Sequence, residues 1–160
     1  MKSIWVSTFG LCLAAGAAFA DGHASGDAEA GEAVFNQCKA CHSIVDEEEN
    51  VILRGGATGP NLYGIFGRQA GTYADFRYGD SLVEAGENGL EWNEEDFLVY
   101  AENPRDFLRE YNDDRRARSN MAFRLRSEED AANVWAYLVS VGPEIVAEDG
   151  EEAEEEAESN

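Results

Sequence analysis

The chain has 160 residues, with 12 basic and 33 acidic side chains and a net charge of −21. A chain of this length forms one domain more readily than two. Its strongly negative charge excludes binding to a nucleic-acid backbone, which requires clustered lysine and arginine. It also lacks an apolar run long enough to serve as a permanent membrane span.

The first 20 residues have the pattern of a secretory signal peptide. Lys2 precedes a mainly apolar segment from Ile4 to Ala18, and the small residues Ala18 and Ala20 fit a cleavage site followed by a polar stretch. We expect cleavage after Ala20 and export to the periplasm, because the segment is short for a retained membrane anchor. Cys12 would then be removed with the peptide.

Cap signals predict the first helices of the mature chain. Residues 21–27 are expected to form a flexible lead, after which Asp27 can cap a helix that ends near Gln37. A second, short helix is predicted from Ser81 to Ala85.

Three further helices are marked by their first residues. Asn93 caps one, and Pro104 is suited to the first position of the next because a helix start needs no N–H there. Ser127 and Asp130 have capping-box spacing and open the last helix, which ends near Val141.

Loops make up a large share of the predicted domain, which spans residues 28–143. Residues 43–72 are rich in glycine, have few periodic apolar positions and show no convincing strand pattern. The core is therefore small for its loop content, and a bound hydrophobic cofactor would supply the missing interior. Beyond it, residues 144–160 carry nine acidic side chains and no basic one, which predicts a disordered, solvated tail.

The sequence CKACH at residues 38–42 carries the strongest chemical signal. It admits a structural disulfide, a redox-active dithiol, a zinc site or covalent haem attachment. A disulfide between Cys38 and Cys41 would close a tiny ring and add little stability. A thioredoxin-like pair would follow a strand rather than a helix, and zinc would lack a full set of ligands. In an exported chain, haem attachment fits best, with both cysteines bonded to the haem and His42 on the iron.

Met121 is the candidate for the second axial position. It lies in the segment SNMAFRL, before the last helix, and is the one methionine that remains after removal of the signal peptide. A lone methionine commonly fills a core, but here it supplies the available thioether. The other histidine, His23, lies in the predicted lead. The residues therefore favour ligation by His42 and Met121 over a five-coordinate iron.

Taken together, these motifs resemble the class I c-type cytochromes, and most closely the bacterial cytochrome c2 and cytochrome c550 type. The resemblance spans about 115 residues, from Ala28 to Gly142. Six segments carry it in order: CKACH, TGPNLYGIFGR at 58–68, FRYGDSL at 76–82, Trp92 ahead of FLVYAENP, NMAF at 120–123 and VWAYL at 134–138.

The resemblance implies an all-α, class I cytochrome c fold, with three to five helices and long loops wrapped around one haem c. It implies that Cys38 and Cys41 carry the covalent bonds and that His42 and Met121 bind the iron. The imidazole of His42 would donate its other N–H to the carbonyl of Pro60, which fixes the ring.

The resemblance also assigns roles around the haem. Arg68, Tyr78 and Trp92 would hold the propionate carboxylates, which are costly to bury without partners. Tyr100 would place its hydroxyl near the methionine sulfur, and Phe123 would cover the haem edge.

The charge pattern departs from that family, in which the face around the haem edge is usually rich in lysine. Here the basic residues are almost all arginine, and seven lie in what we call the arginine-rich segment, residues 105–126. They are Arg105, Arg109, Arg115, Arg116, Arg118, Arg124 and Arg126. We predict that this segment steers acidic redox partners, the alternative being that its arginines only balance nearby acids.

The implied function is that of a soluble, monomeric, periplasmic one-electron carrier that is not an enzyme. By resemblance, it would take electrons from a bc1 complex or periplasmic dehydrogenases and deliver them to a terminal oxidase, a reductase or a photosynthetic reaction centre. Its partners would be transient and membrane-bound. Two other classes stay open: an enzyme with an open iron, which requires Met121 to be off the iron, and a subunit bound permanently to one dehydrogenase.

Overall fold

The computed structural model describes residues 23–145 of the chain. The elements follow one another as α1 (Ala28–Phe35), β1 (Ile44–Val45), β2 (Val51–Leu53), α2 (Asp80–Glu87), α3 (Glu94–Glu102), α4 (Pro104–Tyr111) and α5 (Glu128–Ser140). Among the described residues, every helix falls short of the length and apolar character needed to cross a membrane. The predicted signal peptide and the predicted tail beyond residue 145 lie outside the described residues.

The predicted helix starts are confirmed at four of the five helices. The side chains of Asp27, Asn93 and Ser127 each accept a hydrogen bond from a backbone N–H in the first turn of α1, α3 and α5. These contacts satisfy donors that have no partner within a helix. Pro104 occupies the first turn of α4, where a backbone N–H would have no partner within the helix.

Helix α1 crosses α5 at close range. A Cβ atom at Gly31 would lie 1.9 Å from the carbonyl oxygen of Asn133, so only glycine permits this approach. Phe35, at the end of α1, is fully buried, and its ring centroid lies 5.6 Å from that of Tyr137. Helix α3 packs against both α4 and α5.

Residues 43–72 contain a short antiparallel hairpin, and the expectation that this region lacks strands was wrong. Ile44 pairs with Leu53, and Val45 pairs with Val51. Two of the three residues of β2 are exposed, so the strand has no alternation of buried and exposed positions that the sequence could reveal.

Residues 23–27, which were predicted to belong to a flexible lead, are anchored on the helices. The indole Nε1 of Trp135 donates a hydrogen bond to the carbonyl of His23 over 2.8 Å. The backbone N–H and the hydroxyl of Ser25 both donate to the carboxylate of Glu94. This part of the lead therefore ties α5 to the start of α3.

The core is built from both helices and loops. Its largest fully buried side chains include Trp135 and Leu108 from the helices, and Ile44 and Leu90 from the hairpin and the loop before α3. A cavity interrupts this core, as the high loop content of the sequence suggested.

Candidate cofactor site

A cavity of about 380 Å³ lies among α3, α5 and the long loops. Its walls are mainly apolar, with side chains that include Leu62, Ile65, Leu82, Phe97, Leu125 and Val134. All ten residues that the sequence predicted for the site line this one cavity: Cys38, Cys41, His42, Pro60, Arg68, Tyr78, Trp92, Tyr100, Met121 and Phe123.

The CKACH motif lies just after α1, where the chain continues as hydrogen-bonded turns. The backbone N–H groups of Cys41 and His42 both donate to the carbonyl of Cys38, each over 3.0 Å. Regular α1 ends at Phe35, before the predicted end near Gln37, and the chain continues as turns. This compact path brings two thiols and an imidazole to the same cavity wall.

The imidazole of His42 is held by a backbone carbonyl. Its Nδ1 donates a hydrogen bond to the carbonyl oxygen of Pro60 over 2.8 Å. Since Nδ1 carries the proton, Nε2 keeps a lone pair for a metal. Burial lowers the pKa of His42, and the hydrogen bond to Pro60 opposes that shift. The ring is thus both oriented and biased toward its neutral form.

The loop after β2 packs directly on the CKACH motif. The N–H of Gly56 donates to the carbonyl of Lys39 over 2.9 Å, and that of Gly59 donates to the carbonyl of Cys41 over 2.8 Å. A Cβ atom at Gly59 would lie 2.4 Å from Cε1 of the His42 ring. Gly59 therefore belongs to the site, although the sequence analysis did not identify it.

Both cysteines of the motif are free thiols in the structure. Burial raises the pKa of Cys38 to about 11, with a smaller contribution from the neighbouring Cys41. Between residues 23 and 145, the His, Cys, Asp and Glu side chains form no group of three or more that could hold a metal. The zinc interpretation therefore has no geometric support in the described part of the chain.

Met121 lies half-buried in the loop between α4 and α5. Its backbone N–H donates to Oγ of Ser119 over 3.1 Å, and the same Oγ lies 3.3 Å from the hydroxyl of Tyr100. The hydrogen-bond partner of Tyr100 in the structure is thus Ser119, which the sequence analysis missed. Burial raises the pKa of Tyr100, so its hydroxyl remains protonated at neutral pH.

Arg68 and Trp92 are neighbours because the N–H of Trp92 donates to the carbonyl of Arg68 over 3.0 Å. The guanidinium of Arg68 donates to the carbonyls of Tyr63 and Asn61, over 3.0 and 3.1 Å. Burial lowers the pKa of Arg68, but an arginine stays charged at neutral pH. Burial raises the pKa of Tyr78, and the nearby Arg68 opposes the rise. The wall therefore holds one rigid cation beside hydroxyl and indole groups.

The lining of the cavity carries positive charge. The charged residues of its described lining are Arg68 and Arg118, with no acid among them. Phe123 lines the cavity and is 37% exposed, so it lies where the cavity meets solvent.

His23, the alternative histidine, lies elsewhere. Its ring centroid is 4.6 Å from that of Phe66, and it does not belong to the cavity lining. The site thus offers two thiols, one oriented imidazole, one thioether and one partly buried cation around an apolar space. That set of donors fits a haem: sulfur for covalent attachment, nitrogen and sulfur for iron, and a cation for carboxylates.

Comparison with known proteins shows to which family the chain belongs. No model of a known protein family matches the chain. Cytochrome c-551 from Roseobacter denitrificans is 58% identical over 118 residues, which cover 74% of this chain and 83% of that protein. Cytochrome c2 from Cereibacter sphaeroides is 52% identical over 134 residues, which cover 81% of this chain and 92% of that protein. The chain belongs to the class I c-type cytochromes.

A solved structure agrees with this assignment. The X-ray structure of cytochrome c2 from Rhodobacter sphaeroides matches with a TM-score of 0.73 at 50% identity, covering 76% of this cytochrome and 100% of the other chain. The predicted all-α, class I cytochrome c fold is confirmed. As a member of this family, the chain is an electron-transport protein whose cofactor is one covalently attached haem c with its iron.

Proposed function

We propose that this cytochrome is a soluble, monomeric, one-electron carrier of the periplasm, with its haem bonded to Cys38 and Cys41 and its iron held between His42 and Met121. The observation that carries the proposal is the convergence of these four side chains on one apolar cavity. The relatives named cytochrome c2 and cytochrome c-550 support a carrier rather than an enzyme.

The bound haem supplies a one-electron couple between ferrous and ferric iron. This chain sets the environment of that couple. His42 offers Nε2 because its Nδ1 is bonded to Pro60. Apolar walls exclude water and so disfavour the extra positive charge of the oxidised state, and a thioether ligand acts in the same direction. Both effects raise the reduction potential.

The loop that bears Met121 is fixed on each side of the methionine. Ser119 accepts from the N–H of Met121, and the N–H of Leu125 donates to the carbonyl of Ala101 over 2.8 Å. A loop held in this way can present the same thioether in both oxidation states. Little of the protein then has to rearrange during transfer.

Arg68, with Tyr78 and Trp92, is assigned to the haem carboxylates. The guanidinium is immobilised by the carbonyls of Asn61 and Tyr63 and remains charged. A carboxylate that enters a mainly apolar cavity needs such a charged donor, because burial without a partner is costly.

Electrons would pass at the cavity mouth, where Phe123 is exposed; the exposed Arg118 also belongs to the cavity lining. A small, polar, transient interface at this face suits a carrier that must release each partner. The proposed donors are a bc1 complex or periplasmic dehydrogenases. The proposed acceptors are a terminal oxidase, a reductase or a photosynthetic reaction centre.

The proposal is tested by expressing the whole chain with a haem-maturation system. We expect a mature protein that begins at Asp21, a mass increase corresponding to one haem, and a redox titration with the slope of a single electron. Cys38→Ser and Cys41→Ser should each remove one covalent bond, while Ser43→Ala, next to the motif, should leave attachment intact. A chain recovered without covalent haem, or one with a multi-electron titration, would overturn the proposal.

A further inference from the structure

The arginine-rich segment differs in charge from the rest of the molecule. Residues 105–126 contain seven arginines and four acidic residues, a net charge of +3. The other described residues carry four basic and twenty acidic side chains, a net charge of −16. The segment therefore carries most of the positive charge of the described residues, seven arginines out of eleven basic side chains, so an acidic ligand is attracted to it.

Most of this positive charge is exposed and not neutralised locally. Arg105 and Arg109 lie 3.6 and 3.5 Å from the carboxylate of Asp106, and Arg116 lies 3.7 Å from that of Asp114. Ion pairs at such exposed positions contribute little. The other four arginines are exposed and form no ion pair with an acid within residues 23–145: Arg115, Arg118, Arg124 and Arg126.

The chain itself carries a complementary ligand beyond the described residues. Residues 146–160 contain eight acidic side chains and no basic one. A chain of 15 residues spans at most roughly 50 Å, whereas a compact domain of this size has a radius of gyration of about 14 Å. Residues 146–160 are therefore long enough to extend over much of the domain surface. Tethering also gives them an effective concentration that a separate acidic molecule would have to match.

We propose that residues 146–160 bind the arginine-rich segment of their own chain. The contact is electrostatic, between the tail carboxylates and the exposed guanidinium groups, so salt weakens it. Because the exposed Arg118 also belongs to the cavity lining, the bound tail occupies part of the face proposed for docking. An acidic partner must then displace it, and this consequence alone rests on the proposed function.

The contact is tested in the full haem-loaded chain by paramagnetic relaxation. A nitroxide is attached at Ser159→Cys, which provides the one free thiol once Cys38 and Cys41 are bonded to haem. In the reduced, diamagnetic protein at low salt, we expect amide signals of residues 115–126 to lose more than half of their intensity. Signals of the acidic hairpin turn at residues 46–50 should keep theirs. High salt should restore the lost intensity.

Two variants and a matched control test whether these charges cause the broadening. Replacing the eight tail acids by their amides should abolish the broadening at residues 115–126. The double substitution Arg115→Gln and Arg126→Gln should reduce it severalfold, whereas Arg54→Gln with Arg77→Gln, outside the segment, should leave it unchanged.

Three outcomes would overturn the proposal. One is broadening that is equal over all faces of the domain, and another is broadening that survives both high salt and neutralisation of the tail. The third concerns a mixture of an isotope-labelled chain without nitroxide and a spin-labelled chain without isotope. Equal broadening in this mixture would show that the contact joins two molecules. None of these readings depends on electron transfer, so failure here and failure of the carrier function remain distinguishable.

Discussion

The backbone N–H of Met121 donates a hydrogen bond to the hydroxyl oxygen of Ser119, two residues before it, over 3.1 Å. The same hydroxyl lies 3.3 Å from that of Tyr100, whose side chain is buried in α3. A loop without regular secondary structure is thereby connected to a helix. On its N-terminal side, the loop that carries the proposed thioether ligand is held by this one small side chain.

Removing the Ser119 hydroxyl should loosen the methionine loop. We expect Ser119→Ala to destabilise the ligated state by about 1 kcal/mol, the usual contribution of one hydrogen bond, and to lower the temperature at which the methionine–iron absorption band disappears. Ser119→Thr should retain most of the effect of serine. Ser140→Ala, which removes a hydroxyl that donates to the carbonyl of Tyr137 and does not line the cavity, is the control. Equal shifts in Ser119→Ala and Ser140→Ala would argue against the role of Ser119.

Filling the space at Gly59 should disturb the proximal side. A methyl group there would meet the His42 ring at 2.4 Å, so Gly59→Ala should destabilise the holoprotein by about 1–3 kcal/mol, as overpacking does. Denaturant unfolding measures the loss, and the NMR signals of the imidazole report its reorientation. Thr58→Ala, at the exposed neighbouring position, should leave both within error. Normal stability in Gly59→Ala would contradict the close packing that we describe.

Removing the partly buried cation Arg68 should lower the reduction potential. Arg68→Leu deletes a positive charge in the cavity wall, so the oxidised centre, which carries one more positive charge, becomes easier to form. It also leaves the carbonyls of Asn61 and Tyr63 without their donor. Spectroelectrochemistry measures the change, with the exposed Arg77→Leu as the charge-matched control. A potential that rises, or one that falls equally in both variants, would be inconsistent with the position assigned to Arg68.

Reversing charge in the arginine-rich segment should slow reaction with anions. Ferricyanide, a small anionic oxidant, serves as a probe that needs no identified partner. We expect the double variant Arg116→Glu and Arg118→Glu to react severalfold more slowly at low salt and to show a weaker dependence on ionic strength. Arg54→Glu, on the loop after β2, should have a smaller effect. Rates and salt dependence identical to those of the native chain would mean that these arginines only balance local acids.

The helices were predictable where their signals are local. Asp27, Asn93 and Ser127 act as caps through bonds that span two or three residues, so a short stretch of sequence contains the information. Helix α2, which runs from Asp80 to Glu87, was predicted too short; its N-cap Gly79 has no side chain that could mark the start. The hairpin was missed because its pairing depends on residues brought together by the fold, not on a periodic pattern.

The residues of the site likewise divide into those that a local sequence pattern predicted and those that depend on contacts formed in the fold. The sequence alone identified the CKACH motif and Met121 as candidate residues for binding haem. The family resemblance added Arg68 and Trp92 to the predicted site. Gly59 and Ser119 could not be predicted from the sequence. The importance of Gly59 depends on its close contact with the His42 ring, and that of Ser119 depends on the hydrogen bonds that it forms in the fold. Both become evident once the loops have closed around the cavity.

The most direct test of the central claim is the visible spectrum of the ferric holoprotein. We predict the weak, long-wavelength band of a methionine–iron bond in the native chain, its loss in Met121→Ala, and its retention in Leu82→Ala, which removes an apolar side chain from the same cavity. A native spectrum of the high-spin type that shifts on addition of cyanide would contradict ligation by Met121 and would instead favour an enzyme with an open iron.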